Sequence, residues 1–356
     1  MAEPKRRREE YHVGWVCALP IELAAAELML DEEHPQLEQD ANDTNLYTLG
    51  RIGDHNVVIA CLPAGQMGTN CAAAVAMQMK AQFPLLRFGL MVGIGGGVPG
   101  EDADIRLGDV VVSWPQRGHG GVVQYDFGKS TPNGFERTGF LNTPPTVLLN
   151  AVARVQARYA RGRSELPNYL TALQKLPKFQ RNKAGTDTLY RADYNHEGGP
   201  TCAGCRSSML VDREPRDPVE VMVHYGTIAS GNQVMRGGAI RDEISSRLGG
   251  VLCFEMEAAG LMNCFPSLVI RGICDYSDSH KNKRWQPYAA GTAAAYAKDL
   301  LSVIPATQVA DLSTIREVVA TKSDRGYPVN VTFGPNNSNA GIQVGVSSGP
   351  INGYFG

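Results

Sequence analysis

Nowhere in the 356 residues does an apolar run reach the ~18 positions a helix needs to cross a bilayer. The basic opening, Lys5-Arg6-Arg7-Arg8, is followed by no apolar core with a small-residue cleavage site. Both absences predict a cytoplasmic chain with no membrane partner. An excess of either charge is missing too, since 34 basic residues face 36 acidic ones for a net charge of −2. That balance excludes bulk attraction to nucleic acid, and the basic run reads as a solvated, disordered arm over 1–11. Of the eight cysteines, Cys17, Cys61, Cys253 and Cys274 lie in apolar strand-like runs and Cys71 and Cys264 in helix-like ones, as buried thiols do in a reducing compartment.

A working dinucleotide fingerprint is also absent. Gly95, Gly97 and Gly100 satisfy G-x-G-x-x-G, but no helix opens after them to meet a pyrophosphate. Pro99 and Glu101-Asp102-Ala103-Asp104 intervene before another strand, 109–113. The glycines therefore predict a tight turn where backbone approaches a ligand closely.

What the chain does contain is an alternation of strands and helices. Strands are predicted over 12–19, 45–50, 56–62, 87–92, 109–113, 223–230 and 267–275. Helices are predicted at 21–28, 71–83, 144–161, 236–248 and 287–304. The pattern predicts a three-layer αβα sandwich around a mixed central β-sheet over 12–305. Residues 116–142 read as a long Gly-rich loop, 162–222 as a charged insertion and 306–332 as a linker with one helix near 310–320. The last 24 residues, 333–356, are too polar and glycine-rich to build a core. Within them Gly341-Ile342-Gln343-Val344-Gly345-Val346 alternates without charge, as a cross-β ladder would.

Two strand ends carry the chemistry. Phe254-Glu255-Met256-Glu257-Ala258 follows a short apolar run, and Arg271-Gly272-Ile273-Cys274-Asp275 closes the next strand. In an open α/β sheet, ligands sit outside the carboxyl ends of the strands, so carboxylates crowded there are candidates for holding a small polar substrate. The competing reading is a solvated helix start, where acidic residues meet the positive end of the dipole. The insertion holds one further constellation, His196-x5-Cys202-x2-Cys205, which offers three ligands of a structural zinc. A closed site needs four and no second Cys-x2-Cys exists, so a plain thiol pair is the alternative.

Together, Phe-Glu-Met-Glu-Ala and Arg-Gly-Ile-Cys-Asp resemble the nucleoside phosphorylase and nucleosidase superfamily. The resemblance implies that Met256 and Glu257 bind ribose, that Glu255 is a second contact or a support of the turn, that Arg271 is among the substrate-binding residues, and that Asp275, with Arg271 as its neighbouring cation, protonates a purine nitrogen. The alternative for Asp275 is a structural role, capping the following turn or pairing with Arg271. Gly95 and Gly96 would flank the ribosyl group, and Asn232, Gln233 and Val234 would contact the base, with Tyr276 or Trp285 as stacking partners. In the hydrolytic branch a first-loop glutamate activates water, and Leu19-Pro20-Ile21-Glu22-Leu23-Ala24 sets Glu22 there. In the phosphorolytic branch arginines and a serine frame that site. Here the corresponding positions are Glu22, Met91 and Ile94, a poor phosphate cradle unless Arg51, Arg117 or Lys129 reaches in.

The resemblance extends to fungal nucleosidases that accompany nucleotide-binding immune receptors, through the insertion around Thr186 to Tyr194 and through the tail, which is similar to amyloid signalling motifs of the RHIM type. It implies a purine nucleosidase acting on adenosine or an adenine nucleotide, ATP included, with Arg117, His119, Lys129 and Arg137 as candidates for a 5′-phosphate. No catalytic cofactor is implied. A homo-oligomer is, with Tyr125 and Asp126 available to complete a partner's site, and an immune receptor is the expected partner of the tail. A phosphate-dependent phosphorylase and a non-catalytic nucleoside-binding adaptor are the alternatives.

Overall fold

The computed structural model describes residues 6–324, apart from 39, 101, 102, 133, 218 and 219. Thirteen strands are placed among them: β1 (Val13–Cys17), β2 (Glu32–Glu33), β3 (Tyr47–Ile52), β4 (His55–Cys61), β5 (Phe88–Gly97), β6 (Val110–Ser113), β7 (Val122–Gln124), β8 (Gly128–Thr131), β9 (Gly134–Arg137), β10 (Val223–Gly226), β11 (Ile228–Ser230), β12 (Cys253–Glu255) and β13 (Ser267–Asp275). Eleven form one mixed sheet along the path β10-β6-β13-β5-β1-β4-β3-β2. From it, β12 branches off β5 and leads through β11 to β7. The pairs β1–β4, β1–β5 and β13–β5 are parallel, whereas β13–β6, β12–β5 and β3–β4 are antiparallel.

Period-two alternation sorts the core into two layers. Val13, Trp15 and Cys17, with Ile59, Leu90 and Ile270, face one side of the sheet. There they meet the helices α1 (Pro20–Glu27), α3 (Thr146–Ala160), α4 (Leu166–Leu173) and α8 (Gln286–Ser302). Val16, Val58, Met91 and Val269 face the other side, which is covered by α2 (Thr69–Gln82) and by the four-residue helix Ala258–Leu261. The three-layer sandwich with a mixed sheet is the architecture expected from the sequence.

Small residues let these layers approach. A Cβ at Gly272 would run into the backbone of Ala289 in α8, and one at Gly260 into the backbone of Thr69 in α2. Both helices therefore cross the strands and turns beside the pocket at short range.

Three sequence expectations change. Residues 93–97 make no turn: they stay in β5 to Gly97, paired with β13 on one edge and with β12 on the other. Cross-strand hydrogen bonding on both sides outweighs the weak strand propensity of glycine. The stretch 116–142 is partly ordered, holding β7 and the hairpin β8–β9. The 223–230 strand is broken at Thr227, so that β10 pairs with β6 while β11 pairs with β7 and β12. The tail motif over 333–356 lies outside the described residues. Among the described residues no helix is long and apolar enough to cross a membrane.

Candidate functional site

The parallel strands β1, β5 and β13 deliver their carboxyl ends to one edge of the sheet, and a pocket of about 470 Å³ opens there. Glu22, Gly95, Gly96, Gln233, Val234, Glu255, Met256, Glu257 and Asp275 line it. The structure thus brings together most of the residues singled out from the sequence.

Glu22 sits in the first turn of α1, which Pro20 opens at a position where its missing N–H costs nothing. Its Oε2 accepts hydrogen bonds from the backbone N–H of Ala18 (2.7 Å) and Leu19 (3.0 Å), and its Oε1 accepts one from Ile94 (2.8 Å) in β5. The carboxylate is 3% exposed. Burial pushes its pKa up, while Arg271 and the three backbone donors pull the other way.

Beneath the pocket floor lies Arg271, fully buried, whose Nη2 donates to Glu255 Oε2 and lies 3.5 Å from Glu257 Oε2. Glu255 in turn accepts from the backbone N–H of Glu257 (3.1 Å) and Ala258 (3.0 Å). It supports the Met256-Glu257 turn. Three carboxylates thus share one guanidinium, which cannot neutralise them all. Burial first, then repulsion from Glu255 and Glu22, push Glu257 up to about 7 against the pull of Arg271. Arg271 does not line the pocket, so a direct substrate contact for it is corrected to a buried counter-ion.

Gly93 makes this arrangement sterically feasible. A Cβ there would overlap Arg271 Nη1 and stand 2.5 Å from Glu22 Oε1. Gly96 does the same for the opposite wall, where a Cβ would fall 2.6 Å from Asp275 Oδ1 and against Ser277 Oγ. A register shift between Ile273 and Asp275 opposite β5 turns the end of β13 and aims Asp275 at the pocket. Asp275 Oδ1 accepts from Ser277 N (2.8 Å) and lies 3.0 Å from Lys281 Nζ. The cation beside this carboxylate is therefore Lys281, not Arg271 as the sequence suggested.

The basic residues lining the pocket are Arg236, Lys281 and Lys283. Arg117, His119 and Lys129 do not line it. Arg117 and His119 donate to the carbonyls of Gly249 and Leu248, and Lys129 is exposed on the β8–β9 hairpin. Arg51 pairs with Glu32 (2.9 Å). Asn232 also stands back from the pocket, where its Oδ1 accepts from the N–H (3.0 Å) and hydroxyl (3.1 Å) of Thr69 and so ties the 231–234 loop to α2. Tyr125 and Asp126 hold the same loop, through Gln233 O (2.9 Å) and Asn232 N (2.6 Å). Tyr276 pairs with Asp187 and Arg213, and Trp285 packs under Arg181. Neither aromatic lines the pocket; Phe254 does.

Sequence reasoning missed Phe254, Lys281 and Ser277. Ser277 combines a positive φ of 53° with a buried hydroxyl that has no hydrogen-bond partner, beside Gly96. Strained backbone and an unmet donor are marks of a functional wall, but neither leaves a signal in composition or period.

His196, Cys202 and Cys205 also meet, with ligand atoms within 4.8 Å of one another. Burial and then the neighbouring Cys205 push the Cys202 thiol up to about 11.

A carboxylate-lined pocket thus lies past the strand ends of a mixed αβα sandwich. No family model matches the chain. A nucleotide-binding leucine-rich repeat (NLR)-like protein of Hyaloscypha variabilis is 49% identical over 304 residues, 85% of this chain and 30% of that protein. The 5′-methylthioadenosine/S-adenosylhomocysteine nucleosidase of Mycobacterium tuberculosis is 24% identical over 82% of this chain and 96% of its own. ATP nucleosidase Cap17 of Escherichia coli is 25% identical over 80% of this chain and 50% of its own. The chain thus spans less than a third of the fungal relative's length and half of the Escherichia coli one's.

Among solved structures, a putative nucleosidase of the same methylthioadenosine class from Francisella philomiragia superposes with a TM-score of 0.53 at 17% identity, covering 82% of this chain and 99% of that one. Futalosine hydrolase of Helicobacter pylori gives 0.50 at 18%, covering 82% and 98%. The chain has the fold these nucleosidases share.

Proposed function

We propose that the chain is a purine nucleosidase that hydrolyses the N-glycosidic bond of adenosine or an adenine nucleotide. The observation that carries this reading is the buried Glu22, aimed by three backbone donors into a pocket that it shares with Met256, Glu257 and Asp275. The names of the mycobacterial and Escherichia coli relatives support it.

Cleavage passes through a ribosyl cation-like state, so the base must be protonated, the sugar held and water delivered to the anomeric carbon. In this scheme Glu257 accepts from the ribose hydroxyls and Met256 packs on the sugar. Glu22, its pKa raised by burial, takes a proton from water as the oxygen bonds the anomeric carbon. The glycosidic electrons leave with the base, which receives a proton from Asp275. Water rather than phosphate is the nucleophile because a carboxylate, not an arginine, occupies the first loop and repels an anion there.

Arg236, Lys281 and Lys283 supply positive charge at the pocket for a substrate phosphate. They replace Arg117, His119 and Lys129 in that role and support a nucleotide such as ATP as substrate. The fungal relative's name supports a place beside an immune receptor. In that setting the 333–356 segment would act as a self-assembling signal in the cytoplasm and the chain as a homo-oligomer.

The test is base release by Glu22→Gln and Asp275→Asn. Each is expected to lose ~10²–10⁴-fold in kcat, the usual share of a general acid or base, with an unchanged circular dichroism spectrum. A fully active Asp275→Asn refutes the acid assignment.

A further inference from the structure

The three-ligand cluster in the insertion has a fourth candidate, 75 residues downstream of Cys205. His280 follows β13 in the loop that leads to α8, and it is 8% exposed. Its ring lies edge-on to His196, with centroids 5.6 Å apart, and is stacked on Tyr190 at 4.1 Å. Neither ring nitrogen has a hydrogen-bond partner. Asp278 Oδ2, at 3.6 Å from Nδ1, is the nearest acceptor in an ion-pair arrangement and stands beyond hydrogen-bond reach. A buried imidazole with two unmet nitrogens, edge-on to the imidazole of His196 and lining one cavity with Cys202, lacks a partner that a cation would supply.

We propose that His196, Cys202, Cys205 and His280 form a structural zinc site that fastens the 162–222 insertion to the wall of the pocket. Two thiolates and two imidazoles are a closed tetrahedral set for zinc. Around a tetrahedral ion with bonds of about 2.0–2.3 Å, ligand atoms stand roughly 3.3–3.8 Å apart. His196, Cys202 and Cys205, already within 4.8 Å, need close by only about 1 Å. A small shift of the ring toward the ion would let Asp278 Oδ2, 3.6 Å from Nδ1, accept a hydrogen bond from His280 Nδ1–H, the outer-sphere contact that fixes a metal-bound imidazole. The insertion already touches this loop, since His196 N donates to Ser279 Oγ at 2.9 Å.

The consequence reaches the pocket through Lys281, which adjoins His280 in sequence and lies 3.0 Å from Asp275. The cavity of about 950 Å³ beside the cluster shares Asp275, Lys281 and Lys283 with the substrate pocket. The metal would act as a positioning element for this loop, not in the reaction. The proposal stands whether or not the nucleosidase reading holds, because its readout is the metal itself.

The experiment is elemental analysis of the full chain purified without chelator, together with cobalt(II) substitution. The expected result is about one zinc per chain, lost in Cys202→Ser, and a cobalt spectrum of two thiolates and two imidazoles. His280→Ala should weaken zinc binding by about 100-fold or more. If that variant fails to fold, His280→Cys keeps four ligands and should shift the cobalt spectrum to three thiolates. Folded wild-type protein that neither carries zinc nor takes up zinc or cobalt on dialysis overturns the proposal. So does a His280 variant, Ala or Cys, whose cobalt spectrum matches the wild type.

Discussion

Glu257→Gln should stabilise the protein above neutral pH while disabling its site. Burial and two neighbouring carboxylates raise the folded-state pKa of Glu257 to about 7 from an ordinary value of 4.5. A carboxyl whose folded pKa is raised is fully accommodated below about pH 4.5, where it is protonated in both states. As pH rises through 7 the folded chain must ionise it at a cost. The gap corresponds to roughly 3 kcal/mol. Glutamine keeps the shape of the protonated acid and never ionises, so the variant avoids this cost. Its melting temperature should exceed the wild type's by several degrees at pH 8, and the two curves should converge near pH 4.5. Scanning calorimetry across pH 4.5–8.5 reads the difference. A variant less stable than wild type at pH 8, or an offset independent of pH, would refute the picture of three carboxylates sharing Arg271.

The same site yields further expectations. Gly93→Ala forces a methyl against Arg271 and Glu22 and should cost about 1–3 kcal/mol in denaturant unfolding as well as base release. At Gly96→Ala the methyl meets Asp275 and Ser277 instead, so kcat should fall about 10²-fold with a smaller loss of stability. Because burial raises the pKa of Glu22, kcat/KM for base release should begin to fall on the acid side at a pH above that of an ordinary glutamate, and Glu22→Gln should abolish this limb.

The two strand ends were legible because each pairs an apolar run with carboxylates that no core would otherwise tolerate. Glu22 and Asp275 then meet at one edge because β1, β5 and β13 run parallel, which the βαβ-like spacing implies, whereas Met256 and Glu257 arrive there at the end of β12, which runs antiparallel along the end of β5. Gly93 to Gly97 misled because glycine signals a turn locally, whereas pairing with β13 and β12 is a tertiary fact. The phosphate candidates failed for a related reason. Arg117 and His119 lie on a loop whose path is set by contacts with Gly249 and Leu248, more than 120 residues away. Lys281 and Ser277 sat beside a recognised motif yet carried no periodic or compositional mark. Ser277 is marked by its positive φ and Lys281 by its place 3.0 Å from Asp275, neither visible in one dimension.

Chromatography of adenosine, AMP and ATP incubated with the purified chain, in buffer with and without phosphate, tests the central claim most directly. The account expects free adenine together with ribose or its 5′-phosphorylated form, unphosphorylated at the anomeric carbon, in phosphate-free buffer. Adenine released only when phosphate is added, with the sugar phosphorylated at the anomeric carbon, would contradict Glu22 as the base that activates water.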